Sequence, residues 1–295
     1  MISGSNQGGF TIVETMIVLA VTGLLVVSAL QLISGKQSET EFQVAINSLQ
    51  QQLQKVTNET ANNYYNDINN FSCENINTSY PYIQSGLIGS GSGQGTNISC
   101  ILLGKAIRFG WASPNNSSSS NSYSIYTLAG FRLGQNALPV TTIQQASPVA
   151  IAPGNTYNTL APDDSTTVNL ANGLSFYGQV SLNGVSDFVD GTKQPVIIGF
   201  ISTLGNITNG ALESGSLQYQ LYQYGNATGA WTSANKSTDY VDLIDGITPN
   251  LISNIGLCFN SGTTNQSGLI SIGSNTNNGS GLSVSVDIYS QKDCS

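Results

Sequence analysis

One carboxylate stands apart from every other group in this chain that could do chemistry: Glu14, four positions after Phe10, inside a run of almost entirely apolar side chains that ends at Ile33. An ionised carboxylate at membrane depth is costly, so it calls for a cation or hydrogen-bond donors brought to it. The other reactive types are few. Histidine is absent, which removes the usual general base, the commonest metal ligand and every Ser/His/Asp or Cys/His arrangement. An enzyme would be left with carboxylate pairs, for example among Asp163, Asp164, Asp187, Asp190 and Glu213, set about 5 to 9 Å apart as in glycosidases. Nothing in their spacing singles out such a pair. Asp239, Asp242 and Asp245 recur every third residue and are the calcium candidates, with solvated strand-end acids as the plainer reading.

Four cysteines, Cys73, Cys100, Cys258 and Cys294, all follow the apolar run, as expected for a domain exported to an oxidising space. They read as two disulfides. Of the three possible pairings, Cys73–Cys100 with Cys258–Cys294 closes two loops of moderate size, each contributing about 3 to 4 kcal/mol through loop entropy. Buried free thiols are the alternative; zinc is disfavoured because no CxxC or His pairing exists. Charged residues make up only 8% of the 295, the net charge is -8, and the basic residues are scattered. A general nucleic-acid-binding surface is therefore not expected, and no cofactor is called for. Asn-x-Ser/Thr sequons, among them Asn58, Asn77, Asn97, Asn206, Asn226 and Asn278, are mostly what chance gives in a chain this rich in Asn, Ser and Thr.

The element that must carry Glu14 is a helix. Phe10 to Ile33 would extend about 36 Å as an α-helix, more than a bilayer core of about 30 Å. A secretory signal would show a basic head, a shorter apolar stretch and a cleavage site after it. Here the head has no Lys or Arg, and the plausible processing point, Gly8-Gly9, precedes the apolar stretch. Beyond Gly35 and Lys36, apolar residues recur at Phe42, Ile46, Leu49, Leu53 and Val56, with glutamines on the other face. That period predicts a continuation with one buried stripe, ending in the polar stretch from Asn62 to Asn70.

Gly9-Phe10-Thr11-Ile12-Val13-Glu14 and the apolar span after it resemble the N-terminus of type IV pilins and of the pseudopilins of type II secretion. The resemblance covers about residues 8 to 56 and implies a class III signal: a prepilin peptidase cleaves after Gly9 and the new N-terminal Phe10 is methylated. It further implies that Glu14 pairs with the Phe10 amine of a neighbouring copy, an attraction made strong by low dielectric. A local alternative is a capping box, Thr11-x-x-Glu14. Implied partners are the peptidase, other pilin subunits, the inner-membrane assembly platform with its ATPase, and membrane lipid. The chain departs from the family in lacking a basic leader residue and any proline before Pro81, leaving Gly23 as the nearest weak point of the helix.

From about Phe71 the pattern turns to short strands: Ala106 to Trp111, Ser122 to Phe131, Leu174 to Val180, Pro195 to Ile201, Ser216 to Tyr224, Asp239 to Ile244, Ile255 to Phe259 and Leu282 to Tyr289. The last alternates, with Leu282, Val284, Val286 and Ile288 on one face. Gly89 to Asn97, Pro114 to Asn121 and Asn260 to Gly281 read as exposed loops. The expected fold is α+β: a long N-terminal membrane-spanning and amphipathic helix that covers one face of an antiparallel sheet. The expected organisation is a leader at 1–9, a transmembrane half-helix at 10–34, an amphipathic half at 35–68 and an exported β-rich domain at 69–295. The expected function is a structural filament subunit serving adhesion, motility or DNA uptake. A secretion pseudopilin and a membrane-tethered adhesin that never polymerises are the alternatives. Either way the chain is expected in the cytoplasmic membrane with its C-terminal domain exported.

Overall fold

Helix α1 runs without a break from Ile12 to Ala61, 50 residues, in the computed structural model. The described residues are 11–62, 71–74, 82–85, 100–112, 118–133, 138–151, 167–180, 196–202, 219–224, 250–274, 282–291 and 294. No proline interrupts the helix, and Asn62 caps its C-terminus by donating its backbone N–H to Asn58. The expected stripe is the buried one: Phe42, Ala45, Ile46, Leu49, Leu53 and Val56 are enclosed, joined by Thr57 and Thr60. The 35–68 boundary expected for the amphipathic half runs past Ala61 into residues outside the described set.

The strands are β1 (Phe71–Glu74), β2 (Tyr82–Ser85), β3 (Cys100–Ala112), β4 (Ser118–Phe131), β5 (Val149–Ile151), β6 (Thr167–Asn169), β7 (Leu174–Val180), β8 (Val196–Ser202), β9 (Tyr219–Tyr224), β10 (Asn250–Ile252), β11 (Asn254–Ser261), β12 (Ser267–Ser274) and β13 (Leu282–Tyr289). A short helix, α2, spans Ile143–Ala146. All pairings among these strands are antiparallel. Three sheets result: β1-β2; a seven-stranded sheet in the order β10-β9-β8-β3-β4-β5, with β6 also on β4; and a four-stranded sheet, β13-β12-β11-β7. The chain is therefore α+β, a long apolar helix joined to an antiparallel β domain.

Rather than covering one sheet, the helix stripe shares a single core with both large sheets. Ile107, Phe109, Ile198 and Phe200 come from the seven-stranded sheet, and Leu174, Phe176, Ile255, Leu257, Phe259, Ile270 and Ile272 from the four-stranded one. Phe109, Tyr123, Phe176 and Phe259 form an aromatic cluster across the two sheets, with ring centroids 5.4 to 5.6 Å apart. β8 is buried along its whole length, because its other face, with Ile197 and Ile201, is covered by Val140, Ile143 and Ala146 around α2. A strand enclosed on both faces loses the polar alternation that would mark a one-sided sheet.

Two close approaches fix this packing. Gly104 lies at a bulge in β3, where an added Cβ would sit 1.9 Å from the Phe200 carbonyl oxygen. Gly268 on β12 lets the helix settle onto the sheet, since a Cβ there would come within 3.0 Å of Ile46 and 3.5 Å of Phe42.

The structure corrects three expectations. The stretch Asn260 to Gly281 is not simply an exposed loop: it contains β12, whose Ile270 and Ile272 are fully buried. The stretch Pro114 to Asn121 yields its last residues to β4, which starts at Ser118. Ile288, expected on the covered face of β13, is 39% exposed, unlike Val284 at 8%. The strand expected at Asp239 to Ile244 and the loop at Gly89 to Asn97 lie outside the described residues.

The apolar helix as a candidate assembly site

Thr11 starts the helix. Its backbone is extended (φ -76°, ψ 150°) and its hydroxyl accepts the Glu14 amide N–H at 3.3 Å, satisfying one of the orphan donors of the first turn. This is half of the capping box considered for Thr11 and Glu14. Among the described residues the reciprocal bond, from the Thr11 backbone N–H to the carboxylate, is missing, and no other hydrogen bond or ion pair reaches the Glu14 side chain. A carboxylate in the first turn also lies at the positive end of the helix dipole.

Every described side chain from Thr11 to Gln31 is exposed, including Ile12, Val13, Leu19, Leu24 and Leu30. The hydroxyls that follow Thr11 donate back to their own helix: Thr15 to the Ile12 carbonyl at 2.8 Å, Thr22 to Val18 at 2.8 Å and Ser28 to Leu24 at 2.9 Å. Their donors are therefore already used, as a hydrocarbon environment would require. The helix is long and apolar enough to cross a membrane. At Gly23 nothing else approaches within 4 Å.

Polar pairs follow the apolar run. Lys36 meets Glu39 at 3.0 Å and Gln37 donates to Glu41 at 2.9 Å, both pairs exposed. The helix then docks. Asn172 donates to the Glu41 carbonyl at 3.3 Å, and Gln50 donates to the Val284 carbonyl on the edge strand β13 at 2.9 Å. At the far end Lys105 of β3 is in direct contact with Glu59, which also lies 3.8 Å from Lys55. Lys105 is nearly buried, with 9% side-chain exposure against 17% for Glu59. Sequence reading missed this pair, because its members are 46 positions apart.

Cys258 and Cys294 are joined by a disulfide, with Cα atoms 5.9 Å apart. It is buried with Leu269 on the face of the four-stranded sheet away from α1, and Tyr177 and Tyr289 pack against it. The Cys73 and Cys100 side chains are outside those described, as are Gly9, Phe10, the calcium candidates Asp239, Asp242 and Asp245, and the acids Asp163, Asp164, Asp187, Asp190 and Glu213. Among the described residues no group of three or more acids or cysteines is placed to hold a metal ion.

Residues 4–30 match the family model of the prokaryotic N-terminal methylation motif. This is the class III signal of type IV pilins and pseudopilins. No curated protein and no solved structure matches the chain. The motif and the apolar helix together support a membrane-anchored protein of the prepilin type.

Proposed function

We propose that the chain is a structural prepilin: cleaved after Gly9, N-methylated at Phe10, held in the cytoplasmic membrane by 10–34 and polymerised through α1 into a type IV pilus-like filament. The exported part, about 69–295, then decorates the filament and serves adhesion, motility or DNA uptake. One observation carries this reading: the methylation motif opens directly into the apolar half of α1, where every described side chain from Thr11 to Gln31 is exposed. Such a surface is tolerable in lipid or against other helices of the same kind, and not in water.

Within this reading Glu14 is half of a contact between subunits. Its carboxylate has no partner among the described residues, and cleavage after Gly9 would create an ammonium four residues away on every copy. Pairing the two neutralises both charges in low dielectric. The test is mass spectrometry of the mature protein purified from its host. A terminal N-methylphenylalanine at position 10 is expected; a chain starting at Met1, or cleaved after Ala29, would overturn the reading.

A further inference from the structure

We propose a second contact between copies at the opposite end of the apolar helix: Lys36 of one copy pairs with Glu39 of its neighbour. It rests on the filament reading above and deepens it.

The inference follows from register. If Glu14 of one helix lies level with the Phe10 amine of a parallel neighbour, the two helices are staggered by four residues, about 6 Å. Lys36 of the copy that supplies the amine is then level with position 40 of the copy that supplies Glu14. Glu39 of that copy is one residue, about 1.5 Å, from this level, well within reach of a lysine side chain. Facing agrees as well. At about 100° per residue, Glu39 falls about 20° from Glu14 on the copy that supplies the acid, with Glu41 on the opposite side, and Lys36 falls about 80° from Phe10 on the copy that supplies the amine, an offset that a long lysine side chain spans. The stagger that neutralises Glu14 therefore also brings the first lysine of one copy level with an acid of its neighbour.

Among the described residues nothing opposes this exchange. Lys36 is 82% exposed and Glu39 44%, and their contact within one chain is an i,i+3 surface pair, a kind of bond worth little by itself. Exchanging it for a pair across the interface keeps the number of ion pairs unchanged. Lys36 is 22 positions beyond Glu14, about 33 Å along the helix, so the two contacts would lie near opposite faces of a bilayer core about 30 Å thick. One contact alone leaves two helices free to pivot about it; contacts at both ends fix their stagger.

Mature chains, one unlabelled and one labelled with ¹⁵N, are mixed in lipid vesicles, and neighbouring amines and carboxylates are joined by a zero-length carbodiimide. The expected products are Lys36–Glu39 and Phe10–Glu14 cross-links that each combine light and heavy peptides, in comparable yield. Light–heavy Phe10–Glu14 products with Lys36–Glu39 cross-links of one isotope only would overturn this inference and leave the filament reading standing. Loss of both light–heavy products would overturn the two together. As a second readout in the host, Lys36→Glu should lower the filament yield at least tenfold with the chain still processed, and Lys36→Glu with Glu39→Lys should restore most of it. An unchanged yield in Lys36→Glu would also sink the proposal.

Discussion

The Glu59 carboxylate is shared unequally by two lysines, and this makes the consequences of removing either partner different. Glu59→Ala leaves Lys105 nearly buried without its counter-ion, a situation that costs about 3 kcal/mol. Lys105→Ala should cost less, about 1 to 2 kcal/mol, because Glu59 keeps Lys55 at 3.8 Å and retains some access to water. Urea unfolding of the soluble domain would measure both; equal losses would show that the contact contributes through packing rather than charge. The phenols give a second prediction at this scale. Burial pushes Tyr123, Tyr126 and Tyr222 above their ordinary 10.0, and Arg108 works against the rise at Tyr126. A raised folded-state value means that the unfolded chain loses these protons first. Stability should therefore hold up to about pH 10 and fall as pH rises through that value. Denaturant midpoints at pH 8 and pH 11 would detect it, and Tyr123→Phe with Tyr222→Phe should flatten the decline.

At the scale of elements, α1 was readable and the strand partners were not. The positions Phe42, Ile46, Leu49, Leu53 and Val56 advertise their burial through a helical period, a purely local signal. Nothing local announces that this stripe meets two sheets, because the partners Phe109, Phe176 and Phe259 come from three separate strands. β12 was hidden for a different reason. Its Leu269, Ile270 and Ile272 stand among Ser and Gly residues, and that composition imitates a loop, although Gly268 is small so that Phe42 and Ile46 can fit against it. The methylation motif was legible because its signature lies in consecutive residues; the Glu59–Lys105 pair depends on tertiary structure and was not. Two substitutions test the packing. Gly104→Ala drives a methyl into the Phe200 carbonyl and should cost about 3 kcal/mol or prevent folding. Phe176→Ala, which empties the aromatic cluster, should cost about 3 to 5 kcal/mol. Thermal denaturation would rank both, and a small loss at either position would mean that the sheets relax around it.

Taken as a whole, the molecule is two materials on one rod: a bare apolar half, and a half locked into a β domain from Phe42 onward. Assembly and folding should therefore separate genetically. Glu14→Ala should abolish or severely reduce incorporation into filaments, with the β domain melting at an unchanged temperature. Cys294→Ser should do the reverse, lowering stability by about 4 kcal/mol on the loop-entropy estimate with N-terminal processing intact. Filament counts by electron microscopy and melting of the purified domain would distinguish the two effects.

The Cys258–Cys294 bond also has a mechanical meaning. β13 is the last of the described strands and an edge of its sheet, the geometry from which a pulled strand peels one pair of hydrogen bonds at a time. Because Cys294 is bonded into β11, two strands inward, tension on the tail passes directly to an interior strand and bypasses β13. The 36-residue separation between the two cysteines becomes a closed ring, and about 120 Å of extensible chain is withheld from a stretched molecule until the bond is reduced.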